Sequence, residues 1–154
     1  MGRASVKKNK SVYQEAREAL KLTRAQASEL LGCITDTRIE KIESGAYPIH
    51  PDEVLVMAEK YKRADLCNYY CSNECPIGKI FVPKVEMKDL QTITLEMLNL
   101  LNRLDVDKNK LIEITADGQI TGEEVSEFNA IKDNLDKMSL AIDSLKLWLS
   151  ENQA

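Results

Sequence analysis

Three of the four cysteines in this chain recur at four-residue intervals, at Cys67, Cys71 and Cys75, and the single histidine is His50. Thiolates in such a row can ligate zinc or an iron–sulfur cluster or sense redox state, with Cys33 or His50 completing the set. An unbroken helix, however, separates the first and last of the three by about 12 Å at 1.5 Å per residue. One ion reaches all three only if the chain breaks near Asn73, and Pro76 offers such a break. The same cysteines serve equally well as small apolar groups closing a core, with Leu66 and Tyr70 beside them. Cys67, Cys71, Cys75 and Cys33 are therefore candidate metal or redox residues, and the expectation is that no cofactor is bound.

The remaining inventory for catalysis is thin. His50 lies between Ile49 and Pro51 at a helix start, where turn packing or capping accounts for it. No Ser-His-Asp order, phosphate-cradling glycine loop or inward pair of carboxylates is visible, so no enzyme is expected. Residues 113–124, EITADGQITGEE, place Glu113, Thr115, Asp117, Gly118, Ile120, Thr121 and Glu124 at spacings used by calcium-binding loops. Yet the run opens on Glu rather than Asp, and a helix stop followed by a capping box explains the same residues.

Charge points to a different kind of chemistry. Residues 1–85 hold 14 Lys/Arg against 11 Asp/Glu, and residues 86–154 hold 7 against 14. A polyanion would meet the first half. Lys7, Lys8 and Lys10 could run along a phosphate backbone as an arm.

The elements that must position these residues are helical. The 154 residues are 44% hydrophobic, 30% charged and 5% aromatic, with 6 glycines and 4 prolines, which fits a helix-rich chain. No 18-residue apolar run is available to span a membrane. The start, MGRASVKKNK, is basic without an apolar stretch behind it, so a cytoplasmic protein with reduced thiols is expected and a disulfide framework is the weakest reading.

Punctuation divides the first half into five short helices. Ser11-Val-Tyr-Gln14 and Thr23-Arg-Ala-Gln26 are capping boxes. The first helix is expected to turn Val12, Ala16, Ala19 and Leu20 to one face, and the second Ala27, Leu30 and Leu31. Gly32 ends the second, and a third from Thr35 or Asp36 buries Ile39 and Ile42 before Gly45. Pro51-Asp-Glu53 opens a fourth carrying Val54, Leu55, Ala58 and Tyr61. A fifth covers Asp65 to about Asn73. Residues 76–88 are expected to be a partly extended linker.

The second half changes period. Leu90, Ile93, Met97, Leu100, Leu104, Leu111 and Ile114 follow alternating three- and four-residue steps, with Asp107 filling one place. That pattern predicts a helix of about 28 residues, or about 42 Å. Ala-Asp-Gly118 ends it and Thr121-Gly-Glu-Glu124 is a further capping box. A second long helix is expected to seam through Val125, Phe128, Ile131, Leu135, Met138, Ile142, Leu145 and Leu149. Residues 89–154 are thus predicted to be an antiparallel hairpin, and apolar residues off the stripe (Leu95, Leu98, Leu101, Trp148) suggest that it joins two copies.

The run from Leu22 to Tyr61, LTRAQASELLG, CITDTRIEKIESG, YPIHPDEVLVMAEKY, resembles the xenobiotic-response-element family of phage-repressor-like helix-turn-helix regulators. The markers are Thr23, Leu31-Gly32, Ile39, Ile42, Glu43, Gly45, Pro51 and the Leu55–Ala58 face, within residues 11–66. The resemblance implies an all-α fold with residues 1–75 as a DNA-binding domain, a linker at 76–88 and the hairpin beyond. It implies a transcriptional regulator, a repressor, that binds a palindromic duplex operator as a dimer. Physically, a short third helix buried on one narrow face can lie in a major groove. Thr35, Asp36, Thr37, Arg38 and Lys41 would then face bases and phosphates, with Arg38 bidentate on guanine and Lys41 on phosphate. Arg24, where the family usually has Gln, would grip phosphate at the start of the second helix. The interval from Gly32 to Gly45 is one residue longer than usual, and Asp36, Glu40 and Glu43 make the third helix acidic. A protein-binding or antitoxin-like module using the acidic hairpin is the alternative, and a cysteine-based sensor a further one.

Overall fold

A computed structural model describes residues 9–152, and it is helical throughout, with no strand among those residues. The helices are α1 (Val12–Ala19), α2 (Arg24–Leu31), α3 (Asp36–Ser44), α4 (Pro51–Tyr61), α5 (Asp65–Asn73), α6 (Gly78–Phe81), α7 (Leu90–Ile114) and α8 (Val125–Asn152). The chain divides after Lys84 into two compact units.

In the first unit, local chemistry sets the helix starts. Ser11 Oγ accepts from Gln14 N, Thr23 Oγ1 from Gln26 N, and Thr35 Oγ1 from Arg38 N, each at 3.2 Å. The Thr23 box closes fully, because Gln26 Oε1 accepts from Thr23 N at 2.9 Å. The Ser11 box closes only halfway, since Gln14 Nε2 donates instead to Glu18 at 2.8 Å. Gly32 and Gly45 both end their helices at φ +73°, a conformation that L side chains strain to adopt.

One core holds these helices together. Ala16 of α1, Ala27 and Leu31 of α2, Ile39 and Ile42 of α3, Val54, Met57 and Tyr61 of α4 and Leu66 of α5 are all buried, with Ile34 and Ile49 from the turns. Burying a side chain the size of Ile39, Met57 or Leu66 contributes about 2 kcal/mol each. The extra residue in the α2–α3 turn does no damage, because Ile34 is 3% exposed and joins the core while Cys33 stays outside. Four residues expected to face inward do not. Leu30 and Leu55 are exposed, at 42% and 62%. On α1 the inward face is Tyr13, Gln14, Ala16 and Arg17, whereas Ala19 and Leu20 are exposed. The physical reason is an ion pair: Arg17 turns inward to meet Glu43 and takes the place an apolar stripe would fill.

The segment expected to be partly extended begins with α6, and residues 82–89 carry no helix. A Cβ at Gly78 would lie 2.1 Å from the Cys71 carbonyl oxygen, so this glycine is what lets α6 press onto α5. Asn68 Nδ2 donates to the Pro83 carbonyl at 3.0 Å and ties the end of this segment to α5.

In the second unit α7 and α8, of 25 and 28 residues, pack as an antiparallel pair. Asp89 caps α7 by accepting from Thr92 N at 2.9 Å. Glu124 caps backward at the start of α8, accepting from Thr121 N and Oγ1 at 2.9 and 2.7 Å. The α7 stripe follows the predicted spacing in part: Ile93 and Ile114 are buried and Met97, Leu100 and Leu111 half-buried, whereas Leu90 and Leu104 are exposed. The α8 stripe is shifted. Ile131, Asn134, Met138, Ala141, Leu145 and Trp148 face α7, while Val125, Leu135 and Ile142 are exposed. Asp107 draws the register: Asn134 Nδ2 donates to its Oδ2 at 2.9 Å, so a polar pair occupies the seam and Leu135 falls to one side.

Candidate nucleic-acid interface

The geometry of α2, its turn and α3 is set by one carboxylate. Glu43 has a side chain only 1% exposed. It accepts from Arg17 Nε, from Arg17 Nη2 at 3.0 Å and from Arg24 Nε at 2.9 Å. Arg17 also donates through Nη1 to the Leu22 carbonyl. Three helices are thereby locked at a point between α1, α2 and α3. A buried carboxylate left unpaired would be costly, and Arg17, itself 8% exposed and bonded to both oxygens, is the partner this arrangement depends on. Tyr61 Oη lies buried nearby without a hydrogen-bond partner, and burial followed by the Glu43 charge pushes its phenol up to about 12.

A second lock fixes the other end of α3. Arg38 Nε and Nη2 donate to the two oxygens of Glu53 at 2.6 Å each, and Nη2 also donates to the Pro48 carbonyl at 2.9 Å. Glu53 Oε2 further accepts from His50 N at 2.8 Å, so it caps α4 while holding α3. The hydrogen bond from Arg38, joined by that from His50, holds the Glu53 carboxyl below its ordinary value. It holds Arg38 correspondingly above its own.

Each sequence-predicted contact residue has a definite place. Thr35 is the α3 N-cap. Asp36 is exposed, and its Oδ1 accepts from Thr37 N at 2.7 Å and from Thr37 Oγ1 at 3.3 Å. Thr37 and Lys41 lie on the solvent face of α3 with Glu40 and Ser44. Lys41 Nζ stands 5.1 Å from the centre of the Tyr47 ring. Arg24 is 40% exposed and lies 3.6 Å from Glu40 as well as on Glu43. Arg38 faces Glu53 rather than open solvent. Lys10 pairs with Glu18 at 2.6 Å, against α1, and Lys7 and Lys8 lie outside the described residues.

The cysteines do not converge. α5 ends at Asn73, so Cys75 leaves the helical row, and its Sγ accepts from Gly78 N at 3.4 Å at the start of α6. Burial, then the charges of Cys71 and Asp65, push the Cys67 thiol up, away from the reactive thiolate. Cys33 is exposed on the α2–α3 turn. Among the described residues no group of three or more His, Cys, Asp or Glu is placed to hold a metal ion. None of their helices is long and apolar enough to cross a membrane.

Sequence reasoning missed the two locks. Arg17 carried no motif, and Glu43 counted only as a family marker and as a charge against DNA. The signal available was an arginine on the face of α1 that carries Tyr13 and Ala16.

Residues 14–64 match the helix-turn-helix family model. Neither the curated proteins nor the solved structures give a match. The matched stretch holds most of α1 and all of α2 to α4, with a glycine-ended α2 and an α3 buried on one narrow face, and residues 14–64 of this chain are a helix-turn-helix domain of the XRE-like, DNA-binding kind.

Proposed function

We propose that this protein is a cytoplasmic transcriptional regulator, a repressor, that binds a palindromic duplex operator in sequence-specific fashion as a dimer. The observation that carries the reading is the presentation of α3. Only Ile39, Ile42 and Glu43 of this helix are buried, and both of its ends are braced, by Glu43 and by Glu53. A helix held so rigidly, with Thr37, Lys41 and Ser44 free on one side, suits a major groove. Arg24 sits beside the amides that open α2, where a phosphate would find both. In a dimer that pairs through residues 89–154, the two such helices would read half-sites about 34 Å apart on the operator, one turn of the duplex. Selection from a library of duplexes tests this. An enriched palindrome, lost on Thr37→Ala combined with Lys41→Ala, is the expected result. No enriched motif at low salt would overturn it.

One observation favours a second reading. The arginines at α3, Arg17, Arg24 and Arg38, are engaged by carboxylates, and its open face carries, beside Lys41, Asp36 and Glu40, which repel phosphate. A protein-binding use of the same face predicts one stoichiometric protein partner and no selected DNA.

A further inference from the structure

The second unit has two unlike flanks. With the α7–α8 seam at heptad positions a and d, Phe128, Leu135, Ile142 and Leu149 fall at every e position of α8 from its first turn onward. The e positions of α7 are Thr94, Leu101 and Lys108, of which Leu101 is the apolar one. Helices running in opposite directions place their e positions on the same side of the pair, so these residues share one flank. The opposite flank carries Glu96, Arg103, Lys110 and Lys137.

The Asn134–Asp107 hydrogen bond sets the heights of the two helices. It brings Leu98, Leu101 and Leu104 level with the stretch between Leu135 and Ile142. These five are 52%, 49%, 41%, 49% and 38% exposed. Leu104 is a seam residue by spacing, yet it remains open toward this flank. Such a concentration of leucine and isoleucine along a helix pair requires a cover.

We propose that the cover is the same flank of a second copy, so that two hairpins form a four-helix bundle. This deepens the pairing part of the functional reading and does not depend on DNA recognition. Three features select a second copy. The seven-residue period of the stripe demands a partner of equal period, which this chain itself supplies. Phe128 to Leu149 spans about 32 Å, and two helices are about 20 Å across, a footprint close to the roughly 800 Å² per partner of a stable interface. The charges along its edge are neutralised locally, Lys108 by Asp105, Lys132 by Asp136 and Lys146 by Asp143, so the acidic excess of this half does not oppose close approach there.

The test is the mass of the full chain in solution, measured by light scattering at micromolar concentration without DNA. Twice the 17.4 kDa of one chain is expected. Leu135→Glu with Ile142→Glu should reduce it to one chain at unchanged helical content, and Leu101→Lys, on the other helix, should do so independently. Leu95→Glu, on the far side of α7 and 62% exposed, should leave the pair intact. A single-chain mass for the unaltered protein overturns the proposal, as does persistence of the pair in the folded flank variants or its loss in Leu95→Glu. A duplex selection without a motif would leave this mass unaffected, so the two readings fail separately.

Discussion

Arg38 and Glu53 face each other across the turn between α3 and α4 in a two-pronged ion pair, 2.6 Å at both prongs. The arginine that spacing alone assigns to guanine is thus a strut between two helices. Its removal should be felt first as instability. Arg38→Ala is expected to cost about 1–3 kcal/mol, in the range for hydrogen bonds to charged groups, read as a lower melting temperature. Lys at this position keeps the charge but cannot form both prongs, so Arg38→Lys should recover only part of the loss.

The same pair gives a pH dependence with a definite sign. The Glu53 carboxyl is held below the ordinary glutamate value of about 4.5, mainly by the Arg38 hydrogen bond. Its contribution is therefore present above about 4.5 and lost as pH falls through the lower folded value. A melting-temperature difference between the unaltered chain and Glu53→Gln should be steady near neutrality and shrink in acid. A difference that grows in acid would contradict it.

Glu43 should be far less tolerant of change. Glu43→Gln leaves Arg17 buried without its counter-charge, and breaking one side of such a pair costs about 3–5 kcal/mol. The first unit should melt early or fail to fold, as followed by circular dichroism. Arg24→Gln, which restores the residue more usual in the family, removes a partner that is 40% exposed, so a loss of no more than about 1 kcal/mol is expected.

What could be read in the sequence was local. The Thr23 box, the glycine stops and the α3 core pair Ile39 and Ile42 each depend on neighbours within one helical turn. Arg17 and Glu43 are 26 residues apart, so no window on the sequence joins them. The α8 stripe was misplaced for a similar reason. Leu135 and Ile142 fit a heptad as well as Asn134 and Ala141 do, and only the distant Asp107 decides between them. Cys75 needed the end of α5 and the start of α6 to be known together before its thiol had a role.

Gly78 offers a test of the joint between α5 and α6. Gly78→Ala puts a methyl group into the Cys71 backbone, so α6 must move away, at about 1–3 kcal/mol. Gly122→Ala is the control: nothing lies within 4 Å of its added Cβ, and stability should stay within about 0.5 kcal/mol. Comparable melting temperatures for the two variants would mean that α6 is not held as described.

The polar pair in the hairpin should behave in the opposite direction. Replacing Asp107 and Asn134 together by leucine continues the apolar seam and should raise the melting temperature of the second unit. Asp107→Leu alone leaves the Asn134 amide facing leucine and should lower it.

The hydrogen bond from Tyr13 Oη to Glu74, 3.2 Å long, closes the first unit over a separation of 61 residues. The two arginine locks close over 26 and 15. This difference has a consequence for how the protein comes into being. On a growing chain α1 to α4 can settle around Glu43 and Glu53 as soon as Tyr61 has emerged, by short and fast loop closures. The tyrosine at the front of the chain must wait for its acceptor at the end of α5, so a nascent chain would hold a formed reading helix before its own first helix is fully anchored.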